Sequence, residues 1–342
     1  IIPNKVMNAY FGKSQKARKG ILDLIAGQVK KHVFKLTRFA SVELQEGCLI
    51  EDEIQKPTEI SEALSKAMDM AGIKNKQVCL GVSGPNTMAK RLQLAAGSKD
   101  EVADQVLWES EQYIPFGIEE SSVSFHIIGE NAGGGMDVLV AAARNDMVEG
   151  FKDVITESER KVRVVDLELF SLCNLVEVVL EDELQTNPES IYVFINLGAQ
   201  KTGLFIYKNS TLIFTREMSI GGEIITEEIQ RQMGLNHNEA EDLKMSGDEK
   251  GNLPEEIVEI IDMVLDSFFE EVKKTVDFFL TASAEEQVDK CYITGGSSVV
   301  PGLVEGLEGA LGVPVGYLRP FDKILYDEKS FTPEVLSQIA TT

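Results

Sequence analysis

Three β-type runs close together in the second half of the chain constrain its fold most strongly. They are rich in apolar, aromatic and β-branched side chains and occupy residues 190–197 (SIYVFINL), 202–207 and 211–218. Only short turns, Gly198-Ala199 and Asn209-Ser210, separate them. Runs joined in this way predict an antiparallel meander rather than a βαβ unit. Helical patterns follow at residues 223–233, 238–245 and 254–283, then a strand at 290–294 and a helix after Pro301.

The first half of the chain has a different α/β pattern with an insertion. A strand is predicted at residues 34–42, an amphipathic helix at 57–71, and a buried strand at 77–83. Residues 86–160 then predict an inserted subdomain with a strand, a helix that stops before Pro115, a β-hairpin and a helix at 146–158. A strand at 162–166 returns the chain to the first domain.

Length and charge narrow the classes of function. A chain of 342 residues is too long for one typical core, so two lobes are expected. With 33 basic and 56 acidic residues the formal charge is −23, which repels nucleic acid and anionic lipid. No run approaches the roughly 18 to 20 apolar residues that span a bilayer, so direct membrane insertion is not expected. The scattered four cysteines and three histidines predict reduced thiols and no zinc site.

The segment 195–202 (INLGAQKT) is the first candidate for binding chemistry. A buried strand ends there in a turn that can direct consecutive backbone N–H groups at a phosphate. Gly198 permits close backbone approach in the Gly198-Ala199 turn, and Gln200 and Thr202 can donate side-chain hydrogen bonds. The alternative is an ordinary hairpin turn.

Two further segments carry paired glycines at helix starts. Gly295, Gly296 and Ser297 follow a strand, where flat backbone could face an adenine ring and the helix dipole a phosphate. The alternative there is a tight strand-to-helix connection. Gly221-Gly222 opens another helix, and the next helix carries Glu241, which could accept hydrogen bonds from ribose, and Lys244, which could approach the nucleoside. For Glu241 and Lys244 the alternative is an ordinary solvated helix face.

In this order the three segments resemble the second half of the actin, Hsp70 and FtsA superfamily. Within it the chain is similar to the PilM family of type IV pilus assembly proteins. The matching stretches are VSGP at 82–85, WE at 108–109, EQYIPF at 111–116, MDVL at 136–139 and VD at 165–166. The resemblance implies an α/β actin-like ATPase fold, with two ribonuclease-H-like lobes around a nucleotide cleft and an FtsA-like inserted subdomain.

The resemblance also implies a division of the chain. The first lobe core takes residues 13–85 and 161–190, the inserted subdomain 86–160, the second lobe core 191–225 and 285–342, and a helical subdomain of the second lobe 226–284. Residues 1–12 are an N-terminal tail; because residues 1–4 (IIPN) resemble the Asn-Leu-Leu-Pro tail of PilN-type proteins, an origin in a partner peptide stays open.

For the ligand, the resemblance implies ATP and Mg²⁺. In the first phosphate turn, Asp23 matches the magnesium-water ligand and Lys30 a phosphate contact, but Ile25 stands where glycine is expected. Few residues separate Lys30 from the next strand, so either the turn is altered or residues are absent from the chain. Asn196 replaces the aspartate of hydrolysing members, and a neutral amide is a poorer partner for a magnesium-bound water. ATP binding with slow or no hydrolysis is therefore expected.

For partners, the resemblance implies the N-terminal tail of a PilN-like membrane protein, bound in a groove between the first lobe and the insert, and other proteins of the pilus assembly platform. The expected place is the cytoplasm, peripheral to the inner membrane through that partner. Two rivals remain, an FtsA-like membrane-tethered filament protein and a small-molecule kinase of the same superfamily. Trp108, Tyr113 and Phe116 are predicted to be core of the insert, with a partner groove as the alternative.

Overall fold

The computed structural model describes residues 34–45, 47–50, 53–131, 133–246, 253–283 and 285–340. The chain divides into two compact units. The first contains the described residues up to Leu175 together with Ile324–Asp327. The second contains Val176–Lys323 and the described residues from Glu328 onward.

The first unit begins with two short strands and a helix and then forms two sheets. Its elements are β1 (Leu49–Ile50), β2 (Glu53–Ile54), α1 (Pro57–Met70), β3 (Gln77–Val82), β4 (Thr87–Leu94), α2 (Lys99–Ser110), β5 (Ser121–Glu130), β6 (Met136–Arg144), α3 (Asn145–Glu157), β7 (Lys161–Leu167) and α4 (Glu168–Val179), which contains the boundary to the second unit. Strands β3 and β7 pair in parallel, and β4, β6 and β5 form an antiparallel sheet in that order.

The inserted sheet carries α2 on one face. Val102 and Val106 of α2 pack against Leu92, Val138 and Val140 of the sheet. The helix starts at a capping box, because the Ser98 side chain accepts from the Glu101 amide while the Glu101 carboxylate accepts from the Ser98 amide. The predicted helix and hairpin of this region are confirmed.

The second unit has one sheet of five strands with helices against it. Its elements are α5 (Glu181–Thr186), β8 (Tyr192–Leu197), β9 (Thr202–Lys208), β10 (Thr211–Met218), α6 (Glu223–Met233), α7 (His237–Ser246), α8 (Glu255–Ser283), β11 (Lys290–Thr294), a 3₁₀ turn (Gly296–Val299), α9 (Leu303–Leu311), β12 (Val315–Tyr317), a second 3₁₀ turn (Pro320–Asp322) and α10 (Pro333–Ala340).

The predicted meander is confirmed in this sheet. Strands β8, β9 and β10 pair antiparallel, whereas β11 lies parallel to both β8 and β12. Asn209 and Ser210 have φ of 53° and 52°, the left-handed pair that a two-residue hairpin turn of matching twist requires. Val193 and Ile195 of β8 are fully buried in the core that also contains Phe268 of α8.

The strand predicted at residues 34–42 is wrong. This segment makes a single parallel bridge, Lys35 with Leu325, closed by hydrogen bonds from the Leu36 amide to the Leu325 carbonyl and from the Leu325 amide to the Phe34 carbonyl. Apolar, β-compatible residues form a strand only where a neighbouring strand offers a row of backbone partners. Among the described residues, this segment meets such a partner at one point.

Candidate functional site

The turn between β8 and β9 places two residues at an exposed tip. The Gly198 amide donates to the Lys201 carbonyl at 3.0 Å, so Ala199 and Gln200 form the tip, and both are exposed. Within the part of the chain described above, neither of their amides donates to a backbone carbonyl. Thr202 is buried, and its hydroxyl donates to the Ile220 carbonyl at 2.6 Å. The tip amides, and not the Thr202 hydroxyl, are thus the groups of this turn open to a ligand.

The start of α6 packs directly on this turn. The Gly222 amide donates to the Gly198 carbonyl at 3.0 Å, and the Glu223 amide donates to the Ala199 carbonyl at 2.7 Å. A Cβ on Gly221 would lie 2.2 Å from the Ala199 oxygen, so this position requires glycine. The first amides of α6 are therefore occupied by turn carbonyls, and the paired glycines serve close backbone approach.

The Gly-Gly-Ser segment after β11 reaches the same place. Gly295 has φ of 96°, and a Cβ there would lie 2.4 Å from the Leu197 oxygen and 2.6 Å from Asn196 Oδ1. The Ser297 hydroxyl lies 2.1 Å from the position of a Cβ on Gly222. The structure thus brings together all three segments that the sequence singled out in the second half of the chain.

On α7, Glu241 and Lys244 form a shared network with the start of α6. Lys244 Nζ donates to Glu241 Oε2 at 2.6 Å, to Thr226 Oγ1 at 2.7 Å and to the Gly222 carbonyl at 3.3 Å, and Thr226 also donates to Glu241 at 2.6 Å. The Lys244 side chain is only 8% exposed. Burial raises the pKa of Glu241, but hydrogen bonds from Lys244 and Thr226 outweigh it and lower this pKa from its ordinary value. Lys244 therefore holds α7 to α6.

The described part of this site suits a phosphate-bearing ligand. It offers exposed tip amides beside a glycine surface, and Ser298 Oγ is buried there with no hydrogen-bond partner in the described chain. Asp23 and Lys30 lie outside the described residues. Across residues 34–340 as described, no group of three His, Cys, Asp or Glu side chains could hold a metal ion.

A cavity of about 360 Å³ lies within the first unit. One wall is the face of the inserted sheet opposite α2, where Ser122, Ser124, Ala141 and Ala143 pair across β5 and β6 and leave room because they are small. The other walls come from β7 and from α3, which contributes Glu149 and Lys152.

Asp166 of β7 also lines this cavity, a feature that sequence reasoning missed. Its Oδ1 accepts from the Leu167 amide at 2.9 Å, while Oδ2 is buried without a hydrogen-bond partner among the described residues. Burial raises the pKa of Asp166 from 3.8 to about 6, and the Leu167 amide offsets this only in part. The signal in the sequence is a single carboxylate that follows the valines of the strand KVRVVDL.

The prediction that the aromatic residues of the insert belong to its core is wrong for Trp108 and for Tyr113. Trp108 is 73% exposed and Tyr113 38% exposed, whereas Phe116 is half-buried. The inner face of α2 is filled by Val102 and Val106, which leaves no core position for the indole.

Among the described residues, none of the helices combines the length and the apolar composition that a membrane-spanning helix requires.

The fold and the converging turns define an actin-like α/β protein. The chain matches the family described as "Type IV pilus assembly protein PilM" over residues 19–341. It belongs to this PilM family.

A solved structure titled "PilM-PilN type IV pilus biogenesis complex" is similar to the chain at 25% identity, with 90% of this chain and 88% of that chain covered and a TM-score of 0.78. MreB5 of Spiroplasma citri bound to ADP is similar at 12% identity, with 86% and 80% covered and a TM-score of 0.46. EutJ from Carboxydothermus hydrogenoformans is similar at 18% identity, with 49% of this chain and 55% of that chain covered and a TM-score of 0.36.

Proposed function

We propose that this chain is an ATP-binding scaffold of the type IV pilus assembly platform, peripheral to the cytoplasmic face of the inner membrane, which binds the N-terminal tail of a PilN-like membrane protein. The observation that carries the proposal is the similarity to a PilM-PilN complex over 90% of the chain. Other platform proteins would meet the scaffold through that complex.

For the nucleotide, support comes from the converging turns of the second unit. Backbone amides at Ala199 and Gln200 would bind phosphate, and the flat backbone at Gly295 and Gly296 would face the adenine. Glu241 keeps Oε1 for a ribose hydroxyl, because Lys244 and Thr226 both use Oε2. Mg²⁺ would be held through the phosphates, as it usually is in nucleotide sites, rather than by a cage of side chains.

We place the partner tail at the cavity of the first unit. The small side chains of Ser124 and Ala141 leave a recess, and Lys152, Glu149 and Arg163 at its walls offer charges to peptide groups. Extended peptides are bound in this way by pockets that accept alternate side chains.

The test is a titration of a labelled PilN tail peptide, with and without magnesium-ATP. We expect ATP to act as a conformational ligand that changes peptide affinity, and linkage requires the peptide to change ATP affinity by the same factor. Equal peptide affinity in both conditions would refute the coupling, and no peptide binding in either would refute the partner.

A cavity-filling variant separates the cavity from the rest of the surface. Ala141→Leu should weaken peptide binding at least tenfold while ATP binding persists, because the added side chain occupies the recess. Ala282→Leu, the same change at an exposed position of α8, is the control and should bind like the parent. Peptide affinity unchanged in Ala141→Leu would place the tail elsewhere. Extraction of nucleotide from the purified protein tests the ATP half separately.

A further inference from the structure

The outer face of α2 carries the chain's only tryptophan in an exposed position. Trp108 is 73% and Leu107 46% exposed, although both are large and apolar. Counted from Asp100 as position i, exposed acidic residues share this face at i, i+4 and i+11, and the apolar pair occupies i+7 and i+8. We call this the acidic Trp face: Asp100, Asp104, Leu107, Trp108 and Glu111.

The three carboxylates of the acidic Trp face have no partner in the described chain. Asp100, Asp104 and Glu111 make neither an ion pair nor a hydrogen bond there, in contrast to Glu109, which accepts from Gln112 at 2.8 Å. A single exposed apolar side chain needs no explanation, but a tryptophan and a leucine side by side, rimmed by unpaired charges of one sign, have the composition of an interface.

The chain itself has a cation–π contact at Tyr113, just after the last residue of the acidic Trp face. Lys90 Nζ stands 3.3 Å from the centroid of the Tyr113 ring, two residues beyond Glu111. Tryptophan attracts cations more strongly than tyrosine does, and the Trp108 indole is open on the surface.

We propose that the acidic Trp face docks a cationic segment of a partner protein, in which Lys or Arg side chains lie beside an apolar anchor. The carboxylates would pair with the basic groups, and Trp108 would contribute apolar area together with a cation–π contact. A second copy of the chain is disfavoured because it would bring acid against acid and each copy carries −23. Anionic lipid and nucleic acid are repelled for the same reason.

This surface is separate from the cavity in the first unit. Helix α2 covers the sheet face that contains Val138 and Val140, whereas Ser124 and Ala141 line the cavity from the opposite face. The inference therefore does not rest on the proposed PilN-tail site.

The experiment uses the full chain and a tryptophan-free helical peptide with Arg and Leu on one face. Because Trp108 is the only tryptophan, its emission reports binding at this face directly. We expect saturable binding with a shift in Trp108 emission, weakened by added salt, and no binding of a matched peptide with Glu in place of Arg. No emission change up to millimolar cationic peptide, or an equal change with the acidic peptide, overturns the proposal.

Variants show whether the face or the overall charge is responsible. Peptide anisotropy should report at least tenfold weaker binding for Trp108→Ala, and for Asp104→Asn combined with Glu111→Gln. Phe278→Ala and the pair Glu255→Gln with Glu256→Gln, all exposed on α8, should leave binding unchanged. An equal loss of peptide affinity in the face variants and in the α8 controls overturns the proposal. A dimer that depends on Trp108 in sedimentation, or a shift of Trp108 emission with anionic vesicles, overturns it as well.

Discussion

Gly222 and Ser297 stand so close that a Cβ on the glycine would lie 2.1 Å from the serine hydroxyl. The two residues are 75 positions apart: Gly222 is the N-cap of α6, and Ser297 lies in the 3₁₀ turn after β11. Their contact joins the start of α6 to the Gly-Gly-Ser segment after β11 in one candidate site, although neither segment is distinctive in the sequence by itself. The following predictions test what holds that site together and what it does.

Gly222→Ala should destabilise the second unit by about 1–3 kcal/mol, because the added methyl group overpacks against Ser297. ATP affinity should fall with it, since the turns would separate. Urea unfolding and ATP titration measure the two effects. Gly309→Ala on α9 is the control: nothing lies within 4 Å of its Cβ, so alanine should stabilise by about 0.5–1 kcal/mol. A Gly222→Ala protein as stable as the parent would contradict the packing.

Lys244→Met should lower the free energy of unfolding by about 1–3 kcal/mol, because it removes three hydrogen bonds and takes a hydrogen-bond donor away from Glu241. A double-mutant cycle with Glu241→Gln should give a coupling energy above about 0.5 kcal/mol. The exposed pair Lys274 and Glu270, 3.4 Å apart on α8, is the matched control and should couple by no more than about 0.5 kcal/mol. Equal coupling in both pairs would mean that Lys244 does not hold α7 to α6.

Asp166 should make stability depend on pH. Its pKa is raised from 3.8 to about 6, so between these values the folded protein binds more protons than the unfolded chain, and stability falls as pH rises from 4 to 6. Asp166→Asn should therefore unfold at a higher temperature than the parent at pH 8 and at nearly the same temperature at pH 4. Asp153→Asn, exposed on α3, should show no such difference. The same shift at both pH values would argue against a buried, titrating carboxyl.

Asn196 should keep ATP turnover below about one per second, the lower end of kinase rates. Asn196→Asp should raise magnesium-dependent turnover about tenfold, equivalent to about 1.4 kcal/mol of barrier, because a carboxylate orients a magnesium-bound water better than an amide. Phosphate release under saturating ATP measures it, with Asn209→Asp in the β9–β10 turn as the control. Fast turnover by the parent chain would remove the basis of this prediction.

The sequence located the site's segments better than the roles of their residues. Gly198, Gly221, Gly222 and Gly295 are predicted ligand contacts, and the structure shows close packing at each, because an added Cβ would lie 3.0 Å or less from a neighbouring atom. Thr202 and Lys244 are predicted to approach the ligand, whereas in the structure both side chains donate to backbone carbonyls of the second unit. Residue type gives the capacity to donate a hydrogen bond, but not the direction in which the donor points.

By itself the sequence determined the elements: the meander of β8 to β10, the inserted hairpin and the long helix α8 follow from periodicity and turn residues, which act over a few positions. Only the tertiary structure decided which segments meet, that residues 34–42 form no strand, that Asp166 is buried without a full set of partners, and that Trp108 lies outside the core. The physical reason is range. Strand pairing, desolvation and core volume depend on groups brought close by folding, often from far along the chain, and no local pattern encodes them.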